Sequence, residues 1–136
     1  MPTDQDLLLA AFNKARDYFN QHDFTAQTWT ATMEGLLDPQ VAMKRLDDPG
    51  YHVGAAVKDY FVNGNGKTER AKVTYLEPKD CYIVGNLGFV SGLAEFIDRN
   101  GEGHRPSHAH RIAYSFTYSK ASGSWKAVHL WGAYVA

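Results

Sequence analysis

One cysteine, Cys81, stands in 136 residues. That excludes an intramolecular disulfide and a zinc site built from several thiolates. No run approaches the ~20 apolar residues of a membrane span. Charge of one sign is lacking too. Lys plus Arg is 14 and Asp plus Glu is 15, so the net charge is -1. The two halves differ little, with 6 basic and 9 acidic side chains in residues 1–68 against 8 and 6 in residues 69–136. Nonspecific nucleic-acid binding needs clustered positive charge, and the chain does not supply it. The opening MPTDQDLLLAAFNKARD has no basic start and no long apolar run, so no secretory signal is expected. The expected setting is the cytoplasm, with neither nucleic acid nor membrane as partner. A phosphate cradle is absent as well. Asn63-Gly64-Asn65-Gly66 follows a helical pattern rather than opening one, so it is no P-loop, and no cofactor is expected.

What the chain holds in excess is rings: 3 Trp, 8 Tyr and 7 Phe. The length fits one domain, residues 1–136, able to bury a single core. The first half reads as helical. Leu8, Phe12, Ala15 and Phe19 recur at helical spacing, and Thr3 with Asp6 resembles a capping box, which predicts a helix from about Asp4 to His22. Asp23 is the expected cap of a shorter second helix carrying Ala26, Trp29 and Met33. Gly35 and Asp38-Pro39 end it. Val41 to Leu46 reads as strand or turn, and Asp48-Pro49-Gly50 as a turn. Val53, Ala56, Val57, Tyr60 and Phe61 predict a third helix.

From Arg70 the period changes to two. Ala71 to Glu77 reads as a strand closed by Pro78-Lys79-Asp80. Cys81 to Asp98 reads as one long strand bent at its glycines. His108 to Ser119 and Trp125 to Val135 complete an antiparallel meander through a turn at Ala121-Ser122-Gly123. Helices first and strands afterwards predict an α+β fold with helices on one sheet face. Ile112, Tyr114, Phe116 and Tyr118 share a face. Trp125, Ala127, His129 and Trp131 share a face of the last strand, with Val128 and Leu130 on the other. Ten of the 18 rings fall after Arg70, and both sheet faces carry apolar side chains. Helices cover only one of them, so a homodimer through the sheet is expected.

This element order, the glycine-broken stretch Val90-Ser91-Gly92-Leu93-Ala94-Glu95-Phe96-Ile97-Asp98-Arg99-Asn100-Gly101, Arg111, and the close Gly123-Ser124-Trp125-Lys126-Ala127-Val128-His129 resemble the nuclear transport factor 2-like superfamily, also described as SnoaL-like or cystatin-like. The resemblance covers nearly the whole chain in architecture and is motif-specific over about the last 50 residues. It implies a cone-shaped α+β roll, three N-terminal helices packed in a strongly bent antiparallel sheet, with a pocket between them. Its members include isomerases, cyclases, dehydratases and hydrolases, and also non-catalytic dimerisation and binding modules, so the fold does not name the function.

Several side chains are candidates for chemistry. His104-x3-His108-x-His110 gathers three imidazoles, but Arg111, Ile112, Ala113 and Tyr114 follow where a metal site of this kind would need an acid. A solvated hairpin explains them better, and no metal is expected. His129 is a candidate acid or base because imidazole titrates near neutrality. Its bland alternative is a satisfied core or interface histidine. Asp48 precedes Pro49, and the resemblance implies a general base at such a dipeptide in the ketosteroid isomerase branch. That branch also uses an acid on the penultimate strand, where hairpin counting reaches Ser115. Tyr18 is a possible phenol donor. A plain Asp-Pro turn explains Asp48 without any chemistry. Glu95 is expected to pair with Arg111 across the sheet, either to orient a ligand or to hold the sheet. Trp29, Tyr60, Tyr114 and Trp131 suit the wall of an apolar pocket, though most rings must be core. Cys81 reads as a small buried hydrophobe.

Three functions compete. The leading one is a protein binding a small apolar molecule, without established catalysis. The second is an isomerase, cyclase or dehydratase acting through Asp48 or His129. The third is a dimerisation module. The first two need a cavity with room for a ring; the third predicts that side chains fill it.

Overall fold

The computed structural model describes residues 2–21, 23–45, 50–63, 71–98, 110–120 and 123–135. Helix α1 spans Asp4–Gln21. Its capping box forms with Asp6 in place of the usual Glu: the Asp6 N–H donates to Thr3 Oγ1 at 3.1 Å, and the Thr3 N–H donates to Asp6 Oδ2 at 3.0 Å. Leu8, Phe12, Ala15, Tyr18 and Phe19 make the buried face, as the spacing predicts. Helix α2 spans Ala26–Thr32 and is capped by Thr25, not Asp23. Thr25 and Thr28 form a reciprocal box, and Asp23 only lends its carbonyl to the Thr28 hydroxyl at 2.9 Å. Two hydroxyls at the right spacing outcompete the upstream carboxylate. Helix α3 spans Ala55–Val62 and buries Val57, Phe61 and Val62.

The strands are β1 Leu37–Arg45, β2 His52–Val53, β3 Ala71–Val84, β4 Leu87–Asp98, β5 His110–Ser119 and β6 Lys126–Tyr134. They form one sheet in the order β2-β1-β6-β5-β4-β3. The sheet is mixed, not wholly antiparallel, because β1 runs parallel to β6. The Asp38-Pro39 pair lies inside β1, where the ladder shifts between Leu37 and Ala42. Proline has no N–H to give, and the irregularity removes the need for one.

Three strand expectations are corrected. Cys81 to Asp98 is not one bent strand. It divides at a two-residue hairpin, Gly85-Asn86, where Gly85 takes φ 59°. Only glycine adopts that conformation freely, which suits the primed turns of tight hairpins. Nor does Pro78 end a strand. Strand β3 continues through it, with register shifts on either side against β4. It lies at the sheet edge, where proline is tolerated at a bulge. The third correction concerns β6. Thr117 pairs with His129, but Tyr118 pairs with Ala127, so Val128 is an extra residue. Trp125 and Ala127 are therefore buried under the helices, while Trp131 lies exposed on the opposite face. A bulge reverses the alternation that the period-two count assumed.

The sheet curls around α1, whose Phe12 and Phe19 meet Tyr114 and Phe116 of β5. Phe12 stacks on Tyr114 at 5.6 Å and 7°. Phe61 of α3 meets Phe19 at 5.0 Å and Trp29 at 5.5 Å. Full burial of such rings stabilises by about 1.5–3 kcal/mol each, before chain entropy is counted. Close approach of α1 to β4 needs Gly88: a Cβ there would stand 2.7 Å from Leu8 Cδ2. Among the described residues no helix is long and apolar enough to cross a membrane.

Candidate functional site

Between α1, α3 and the concave face lies a cleft lined by Phe19, Phe61, Val73, Tyr75, Ile112, Phe116 and Leu130, with Met43 and Lys44 of β1 and Trp131 and Gly132 of β6 at its edge. The packing of α1 against β3 is fixed by Asn20. The Tyr75 N–H donates to Asn20 Oδ1 at 2.7 Å, and Asn20 Nδ2 donates to the Tyr75 carbonyl at 2.9 Å. One side-chain amide thus serves both backbone groups of an edge residue, as a neighbouring strand would. Phe61 brings α3 over the same space, and the rings nearly fill it. The cavity measures about 10 Å3, room for a single water.

The chemistry of that lining is plain. Among the described residues its one charged member is Lys44, which pairs with Trp131 at the edge of the cleft. No carboxylate or imidazole joins it there. Tyrosines are the other polar groups of the core. Tyr114 donates to the Leu76 carbonyl at 3.3 Å, and burial pushes its phenol well above the usual range. Tyr118 is fully buried with its hydroxyl unpartnered, and burial raises it further still. Tyr18 shares a hydrogen bond with Thr28 Oγ1 at 3.0 Å and is likewise raised by burial. Groups held neutral in this way do not move protons near neutral pH.

The residues singled out from sequence do not converge on one place. Trp29 is buried and stacked on Phe61. Tyr60 packs edge-on to Phe61 and 4.9 Å from His52. Tyr114 lies in the core. His129 and Trp131 lie instead on the outer face, where the bulge at Val128 sends them, although Trp131 also borders the cleft at its edge. His129 is half-buried with its ring 5.9 Å from Tyr51. Glu95 stands opposite Arg111 in register, as expected, but both are exposed rather than buried. Ser115 pairs with Trp131 on that outer face, away from the cleft. Asp48, His104 and His108 lie outside the described residues. Cys81 is half-buried against the core, and burial raises its thiol. Sequence reasoning missed Phe19, Phe61 and Phe116 as the rings that fill the cleft. Their helical and strand faces were legible, but not that these faces meet.

Three helices held in a curled six-stranded sheet recur in solved structures. An NTF2-like superfamily protein from Salmonella enterica serovar Typhimurium superposes with a TM-score of 0.69 at 15% identity, covering 98% of this chain and 91% of that one. A ketosteroid isomerase-like protein from Erwinia carotovora gives 0.71 at 13%, covering 100% and 99%. The association domain of C. elegans CaMKII gives 0.58 at 23%, covering 91% of each. The fold is NTF2-like. No family model matches the sequence, and no curated protein matches it. At these identities the likeness carries architecture and not chemistry.

In the NTF2-like frame the outer sheet face is the second feature of note. It carries Tyr51, Tyr82, Val84 and Trp131, which are 59%, 56%, 60% and 37% exposed. Tyr82 stacks on Phe89 at 5.0 Å, and Leu93 and Ala113 continue the apolar strip along β4 and β5. Ser91, Ser115 and Thr117 are the small polar residues between them. Rings so placed gain nothing from the helices, which lie on the other side.

Proposed function

We propose that this chain is a non-catalytic self-associating domain, a homodimer formed through the outer face of its sheet. One observation carries the reading. The interior cleft is filled to about 10 Å3 by its own rings, while the outer face leaves Tyr51, Tyr82, Val84 and Trp131 exposed. Large exposed apolar patches on a folded domain mark interaction surfaces. The size also suits. Six strands at ~4.8 Å spacing and about ten residues at ~3.4 Å each give a face of roughly 800 Å2, what one partner contributes to a standard interface. The CaMKII association domain among the similar structures is in keeping with this reading. Light scattering at micromolar concentration is expected to give about twice the chain mass of 15.2 kDa. Trp131→Glu, which buries a charge in the interface, is expected to give the monomer. A wild-type monomer would overturn the proposal.

A second reading is binding of a small apolar molecule in the cleft. Its support is the lining itself, in which Phe19, Phe61, Val73, Ile112, Phe116 and Leu130 offer no polar atom beyond the backbone. A ring-sized guest would require these side chains to swing aside. Isomerase or dehydratase chemistry in that cleft would rest on Asp48, because His129 lies across the sheet from it. Native mass spectrometry of the purified protein tests this reading: a co-purifying small molecule supports it, and the bare chain mass counts against it.

A further inference from the structure

We propose that the two copies meet about a two-fold axis running along β5, so that Asp80 of each copy lies against Lys44 of the other. The inference rests on the association proposed above. In the sheet order β5 has β6 and then β1 on one side, β4 and then β3 on the other. Two rows of side chains cross the outer face in register. The first is Tyr82, Phe89, Thr117, His129 and Ala42; the second is Asp80, Ser91, Ser115, Trp131 and Lys44. Alternation puts both rows outside, because Cys81, Val90, Phe116, Leu130 and Met43, which fall between them, pack into the core.

A face that pairs with its own copy must be complementary to itself, and these rows are. In the second row a carboxylate stands on β3 and an ammonium on β1, each two strands from β5. Rotation about β5 exchanges β1 with β3. Asp80 then falls on Lys44 of the second copy, and Lys44 on its Asp80, which makes two ion pairs. The same rotation sets Trp131 over Ser91 of the second copy and Tyr82 over its Ala42. Bulky rings thus meet small side chains, while Ser115 and Thr117 keep the axis itself low. Stacked sheets cross by about 30°, an offset that the long lysine side chain spans. An axis across the strands, through the second row, does the opposite. It lays Asp80 on Asp80, Lys44 on Lys44 and Trp131 on Trp131, and like charges brought together at an interface are unfavourable. Glu95 and Arg111 do not weigh on the choice, since they stand side by side in one row and their charges offset.

The experiment is sedimentation equilibrium at low salt, where surface charges are least screened, with far-UV circular dichroism to check that the fold persists. The proteins are wild type, Asp80→Lys, Lys44→Asp and the double reversal. Each single reversal sets two like-charge pairs in the dimer and is expected to raise the dissociation constant about tenfold. The double reversal restores both pairs with their signs exchanged and is expected to return to within about threefold of wild type. Strands β1 and β3 stand about 19 Å apart with β6, β5 and β4 between them, so that recovery cannot arise within one chain. If a reversed variant fails to fold, Asp80→Asn, Lys44→Gln and their double variant replace it, and the double is expected to be no weaker than either single. Four proteins of equal affinity, or losses that add in the double variant, overturn the inference and leave self-association standing. A wild type that stays monomeric overturns the self-association itself.

Discussion

The hydroxyl of Tyr114 sits directly above the α-carbon of Gly92, its register partner on β4. A Cβ at Gly92 would come 2.8 Å from Tyr114 Oη and 3.2 Å from the backbone nitrogen of Lys79. The missing side chain lets the phenol cross β4 and reach the Leu76 carbonyl of β3. Gly92→Ala is therefore expected to destabilise by about 1–3 kcal/mol, the usual cost of overpacking a core. Tyr114→Phe removes the clashing oxygen, so the double variant is expected to be more stable than the sum of the two single losses implies. Urea denaturation of the four proteins measures the coupling.

Two buried phenols make a contrasting pair. Tyr114 has an acceptor and Tyr118 has none. Tyr114→Phe is expected to cost about 0.5–1.5 kcal/mol, because it also leaves the Leu76 carbonyl without that donor. Tyr118→Phe deletes an unpartnered buried hydroxyl and is expected to be neutral or stabilising by up to about 1 kcal/mol. If Tyr118→Phe proves the more costly of the two, the hydroxyl has a partner, most simply an ordered water.

Alkali should unfold the protein in a defined way. Burial raises the phenols of Tyr18, Tyr114 and Tyr118 above the usual value near 10. Above that pH the unfolded chain gives up these protons and the folded chain keeps them. The stabilisation is thus fully present below about pH 10 and is lost as pH rises beyond it. Denaturation midpoints between pH 8 and 11 should fall, and less steeply in Tyr118→Phe. An equal slope in that variant would assign the effect elsewhere.

Phe61 touches Phe19, Phe24 and Trp29. Phe61→Ala is expected to cost about 3–5 kcal/mol and to leave a void beside the narrow cleft. Apolar voids of this kind stay dry and accept a ring. Benzene or indole is therefore expected to raise the melting temperature of Phe61→Ala and not that of wild type. A matching rise in wild type would instead favour the small-molecule reading of the cleft.

Helix α1 was legible residue by residue, from the Thr3–Asp6 cap to the apolar face, because both depend on neighbours within four positions. The buried set on β5 was legible too, since alternation held there without interruption. What misled was set by partners distant in sequence. Pro78 ends a strand in the interior of a sheet, but β3 is an edge. The Val128 bulge exists only in relation to β5, and it moves His129 and Trp131 to the face opposite Ala127. Two of the seven site candidates, His129 and Trp131, changed sides on that one inserted residue. The pairing of β1 with β6 has no local signal at all, because it is a parallel contact between opposite ends of the fold.

That parallel pair has a temporal side. Leu37 finds its partner Ala127 only after β3, β4 and β5 have intervened, and β2 in turn leans on β1. As the chain leaves the ribosome, β1 waits with an apolar flank and an unfilled row of amides until the last strand emerges. Contacts this non-local are slow to close and expose the chain to sticking meanwhile. The β3–β4–β5 meander, whose contacts are local hairpin pairings, is the segment able to form first, and the arrival of β6 is the event that joins the two ends of the polypeptide into one sheet.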